Sequence, residues 1–139
     1  MRTHALRLRP GDEIKSRLQA YVRDHEIKAC FILACIGSAS RGELRLANAT
    51  AGSAENDVLK FDSPTEIVSL QASFSLDGCH MHTSLADATG ATIGGHVLSL
   101  VVHTTAEIVL GDISEQYRFR RAQDPATGYK ELVIEPSRL

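Results

Sequence analysis

Over residues 65–76 the chain is apolar at every second position, with Val68, Leu70, Ala72, Phe74 and Leu76 in step with one another and with Glu66. A period of two lines one face of a strand, so this stretch demands a sheet with one buried face. The same alternation returns at 3–9, 42–48, 79–85, 92–103, 105–110, 116–121 and 130–135. Residues 29–36 are almost continuously apolar, which fits a strand buried on both faces, with Gly37-Ser38 as its break. Helical period occurs in one place: Ile14, Leu18, Tyr21 and Val22 form a single stripe, with Asp12 placed to cap it and Glu13 in its first turn. Residues 49–57 are small and polar, a loop. The expectation is one α+β domain spanning 1–139, a mostly antiparallel sheet with one main amphipathic helix.

Chemistry concentrates in His80-Met81-His82 and Gly94-Gly95-His96. Two histidines two residues apart on a strand point to the same face. Asp87-Ala88-Thr89-Gly90 between the two segments is a turn signal, and a hairpin centred near Thr89 sets His82 opposite His96. His80, His82 and His96 on one face can share a divalent metal, zinc or another imidazole-preferring ion, and leave a position open. The opposing reading makes them ordinary strand histidines, hydrogen-bonded across the sheet or at a subunit interface. A catalytic use would also need a carboxylate. Glu66, in phase with apolar residues, is the candidate, while Glu107 reads as a structural partner and Asp87 as a turn former. Gly94-Gly95 reads as a bulge or as tight strand packing. No Lys-Ser/Thr follows the glycines, which excludes a phosphate loop.

Composition narrows the class. With 139 residues, 43% of them apolar, the chain can bury a core. Its net charge is −2, with acids and bases interspersed, which argues against nucleic-acid binding by the whole surface. Arg118, Arg120 and Arg121 are the best local basic cluster, read either as phosphate contacts or, more simply, as ion-pairing residues. The three cysteines, Cys30, Cys35 and Cys79, are an odd set without a signal peptide or C-x-x-C spacing, pointing to reduced thiols in the cytoplasm. Cys79, adjacent to His80, is expected to face away from the histidines. No apolar run is long enough for a membrane span.

An ordered set of pieces carries a resemblance across almost the whole chain: Glu66-Ile67-Val68-Ser69-Leu70, His80-Met81-His82-Thr83-Ser84-Leu85-Ala86-Asp87, Gly94-Gly95-His96-Val97, Thr104-Thr105-Ala106-Glu107-Ile108 and Phe119-Arg120-Arg121. It resembles the plants and prokaryotes conserved domain (PPC or PCC), of the bacterial type that keeps the histidines. The resemblance implies an antiparallel sheet flanked by helix and assembled as a homotrimer. It also brings a DNA-binding label, which for bacterial members rests on fold-level analogy. Plant members bind AT-rich DNA through AT-hook segments, and this chain has no Arg-Gly-Arg-Pro hook. Ala72 stands where the family commonly has Gly. Three functions follow as expectations: a metal-binding domain, a DNA-associated regulatory module, and a trimeric scaffold or small-molecule-binding protein with structural histidines.

Overall fold

Two long strands organise the molecule. The computed structural model describes residues 1–53 and 57–137. Along them run β1 (Arg2–Leu8), α1 (Ile14–Asp24), β2 (Cys30–Arg45), β3 (Val58–Phe61), β4 (Thr65–Ser75), β5 (Gly78–Ala86), β6 (Thr92–Asp112), β7 (Tyr117–Gln123) and β8 (Lys130–Pro136). All strand pairs are antiparallel. The sheet order is β1-β6-β5-β4-β2-β3, and β6 also pairs with β2. That extra pairing closes β2, β4, β5 and β6 into a barrel-like ring. β7 and β8 form a separate hairpin. The α+β class with a mostly antiparallel sheet and one short helix is as the alternation implied. No helix among the described residues is long and apolar enough to cross a membrane.

Four local expectations are corrected. Most of segments 29–36 and 42–48 falls in one 16-residue strand, β2, which ends at Arg45, and 92–103 and 105–110 belong to one 21-residue strand, β6. Gly37-Ser38 makes no turn; the β2–β6 register shifts around Ala39 instead. Bulges of this kind bend a strand and raise its twist, which lets β2 wrap around the ring. Nor is β2 covered on both faces, since Leu33 is 43% and Ile36 69% exposed. In β4 a register shift between Ile67 and Ser69 reverses the phase. Thr65 and Ile67 are buried before it, Leu70 and Phe74 after it, so Glu66 and Val68 face outward. Finally, Glu13 rather than Asp12 caps α1, accepting from the Ser16 amide at 2.6 Å and the Lys15 amide at 3.3 Å. Asp12 instead accepts from the Arg9 amide.

The core fills the ring. Ile14, Leu18 and Val22 of α1 are fully buried with Phe74, Leu85, Val97 and Leu100. Glu13 ties the helix to β6 by accepting from the Leu100 amide at 3.0 Å. Gln19, also buried, donates to the Ser75 carbonyl at 2.8 Å. The β7–β8 hairpin docks through Phe119, whose amide donates to the Lys28 carbonyl, and through Arg121, whose guanidinium donates to Ser73 of β4.

Candidate metal centre

The site is set by the β5–β6 turn. Asp87 Oδ1 accepts from the Thr89 amide, the Thr89 hydroxyl and the Ala91 amide, and the Gly90 amide returns to the Asp87 carbonyl. Gly90 has φ +84°, a conformation that other residues rarely adopt. This turn fixes the register in which His82 pairs with His96, as the turn signal predicted. Gly94 and Gly95 turn out to be close-packing positions. A Cβ on Gly94 would sit 2.8 Å from the Thr83 carbonyl oxygen, and one on Gly95 2.8 Å from that of Arg45. The missing side chains let β5, β6 and β2 come together directly beside His96.

The three rings converge. Ring centroids are 4.7 Å apart for His80 and His82, 5.1 Å for His80 and His96, and 5.5 Å for His82 and His96. One donor nitrogen from each lies within 4.8 Å of the others, and the Nε2 atoms of His80 and His82 are 2.9 Å apart. Tetrahedral zinc with bonds of about 2.0–2.1 Å spaces its nitrogen ligands about 3.3 Å apart, so modest side-chain rotations suffice. His96 Nδ1 is buried without a hydrogen-bond partner. The electrostatics favour uncharged ligands. Burial, then Arg45, His80, Lys15 and His82, pushes His96 down to about 4. Burial, then His82 and Arg121, lowers His80, opposed by Glu131. Neutral imidazoles are the form that binds metal, and both shifts favour that form. On these grounds the residues fit a divalent ion.

A cavity of about 670 Å³ opens over the histidines. Arg45 and the segment after it form one wall, and Arg121, Tyr129, Lys130 and Glu131 of the β7–β8 hairpin form another. Cys79 packs against the core and stays outside the group of converging donors, in keeping with a side chain facing away from the histidines, while also bordering the cavity. Burial raises its thiol pKa and raises those of Cys35, to about 11, and Cys30, to about 12, with Asp112 adding to the last.

The other candidates disperse. Glu66 is exposed, opposite Ala86 at the far end of β4, and does not line the cavity; the bulge that reverses β4 puts it there. Glu107 is exposed as well. Of the arginine cluster, Arg118 is exposed and Arg120 bonds Glu135 through Nε at 3.0 Å. Arg121 turns into the histidine cavity. The three therefore do not form one basic patch. Sequence reasoning missed Arg45 and Glu131 as cavity residues, because their arrival depends on how the hairpin and the end of β2 pack.

Known proteins share this arrangement of the chain. Two curated relatives from Synechococcus, each called bifunctional protein GlmU, include that of strain JA-3-3Ab, which is 45% identical over 136 residues, 97% of this chain and 21% of the relative. The chain thus spans about a fifth of the length of the curated relatives it matches. A hypothetical protein from Salmonella cholerae-suis superposes with a TM-score of 0.88 at 33% identity, covering 97% of this chain and 94% of that one. A metal-containing protein from Archaeoglobus fulgidus has the same fold, with a TM-score of 0.77 at 24% identity over 96% of this chain and 94% of that one. The model of the Plants and Prokaryotes Conserved (PCC) domain matches residues 1–114, and with it the chain belongs to that family.

Proposed function

We propose that this chain is a metal-binding PCC domain protein in which His80, His82 and His96 hold one divalent ion, zinc being the first candidate, beneath a cavity that admits a small molecule. The observation that carries this reading is the convergence of three imidazole donors within 4.8 Å of one another. The metal-containing Archaeoglobus protein of the same fold supports it. When bound, such an ion supplies Lewis-acid chemistry, polarising a ligand or acidifying water. The chain's own residues orient what enters: β5 and β6 carry the ligand histidines, Arg45 and Arg121 place guanidinium groups at the walls, and Glu131 places a carboxylate beside them.

The reading extends to assembly and setting. The protein associates as a homotrimer in the cytoplasm, and the exposed Ile36 and Val68, on the neighbouring strands β2 and β4, support burial against further copies. Duplex DNA as a partner has less support, because the arginines named for it are dispersed.

Calorimetric titration of metal-free protein with zinc at neutral pH tests the metal reading. The expected result is one site per chain, abolished in His96→Ala. Heats that do not saturate, or that survive in the variant, contradict it.

A further inference from the structure

The walls of the histidine cavity carry a charge pattern that the metal site does not require. Arg45, Arg121 and Lys130 line it against one carboxylate, Glu131. Glu131 is engaged, accepting from the Thr127 hydroxyl at 2.9 Å. Among the described residues neither Arg45 nor Arg121 makes an ion pair. Arg45 lies over the Tyr129 ring, 4.9 Å from its centroid, which holds the guanidinium in place without neutralising it.

Arg121 is the more telling of the two. Its Nη2 donates to the Ser73 hydroxyl at 2.8 Å and to the Ser73 carbonyl at 3.2 Å. Those bonds aim the side chain. Its Nε is buried and has no acceptor. A buried donor on a permanent cation costs free energy unless an acceptor arrives. A guanidinium fork matches the two oxygens of a carboxylate or a phosphoryl group. The volume, about 670 Å³, falls in the range of small-molecule sites. The hairpin supplying Arg121, Tyr129 and Lys130 follows the residues matched by the family model.

We propose that the cavity is an oxyanion-binding site, in which Arg121 and Arg45 grip the carboxylate or phosphoryl group of a small molecule whose remainder lies toward the three histidines. The ligand class is thus a small organic anion with a second polar group within reach of the metal, which rests on the metal reading above. Arg121 and Arg45 act as specificity residues: they select the anion and orient it.

The test uses the full chain, metal-free and zinc-loaded, titrated calorimetrically with malonate, inorganic phosphate and the neutral analogue malonamide. Wild type is compared with Arg121→Gln, Arg45→Gln and the surface control Arg7→Gln. Thermal melts check folding, and zinc content is measured on the same samples. The expected result is saturable binding of malonate, phosphate or both, and none of malonamide. Affinity should fall about tenfold or more in each cavity variant and stay unchanged in Arg7→Gln. Which anion binds tells a carboxylate site from a phosphoryl site. Arg121→Gln loses a tie to β4, so Arg45→Gln keeps the test decisive if that variant does not fold. Zinc uptake without saturable anion binding, or anion binding unchanged in Arg45→Gln, overturns the proposal and leaves the metal reading standing. Arginine-dependent anion binding without zinc uptake supports the anion site and removes the metal.

Discussion

At the scale of single residues, His96 couples the site to the fold. Its lowered pKa means that the folded chain resists a proton the unfolded chain accepts. Below the ordinary value of 6.5 the unfolded state binds more protons, so the stability of the metal-free chain falls as pH drops, and this contribution is exhausted near the folded value of about 4. Above 6.5 it is fully present. Thermal melts of metal-free wild type and His96→Gln should therefore converge in stability difference toward high pH and change between about 6.5 and 4, with wild type losing more. Parallel curves would contradict the burial of a neutral imidazole. The pairing of His82 with His96 was legible because one turn, Asp87 to Gly90, fixes register locally. The outward position of Glu66 was not, since a bulge at residues 67–69 leaves no mark in a pattern that alternates on both sides of it.

Elements show the same division between local and non-local information. The helix stripe was readable, with Ile14, Leu18 and Val22 all fully buried. Its cap was misplaced by one residue because Asp12 and Glu13 can both reach amides, and Glu13 wins by also accepting from the Leu100 amide of β6. Gly37-Ser38 resembled a break, yet the pairing of β2 with β6 carries the strand through it. Strand continuity was hidden because the closure that stabilises it is long-range. The closeness of β2 and β6 at the site predicts a cost. Gly95→Ala places a Cβ 2.8 Å from the Arg45 carbonyl oxygen and 3.4 Å from Leu44 Cβ, so the backbone of β2 must move. Urea unfolding should show a loss of about 1–3 kcal/mol, the usual cost of overpacking. Zinc affinity should drop alongside, because His96 is the next residue. Wild-type stability in Gly95→Ala would show that β2 yields without strain.

The whole molecule joins a ring of β2, β4, β5 and β6 to a hairpin, and the site lies where they meet. The strands were legible as alternation and the histidines as a motif, while the closure of the strands into a ring was not, because it rests on the long-range pairing of β2 with β6. The cavity was not, because Arg121 and Tyr129 reach it only through the docking of β7 and β8. The exposed Ile36 and Val68, 69% and 61% accessible, predict association. Sedimentation velocity should report a trimer for wild type and a smaller species for Ile36→Lys/Val68→Lys. A monomeric wild type would contradict that assembly. The central claim, a three-histidine metal centre, is tested most directly by elemental analysis of untagged protein purified without chelator, beside His80→Ala/His82→Ala. The account predicts close to one divalent metal ion per chain in the first and its loss in the second. No metal in either, even after reconstitution, would make the three histidines structural and contradict the account.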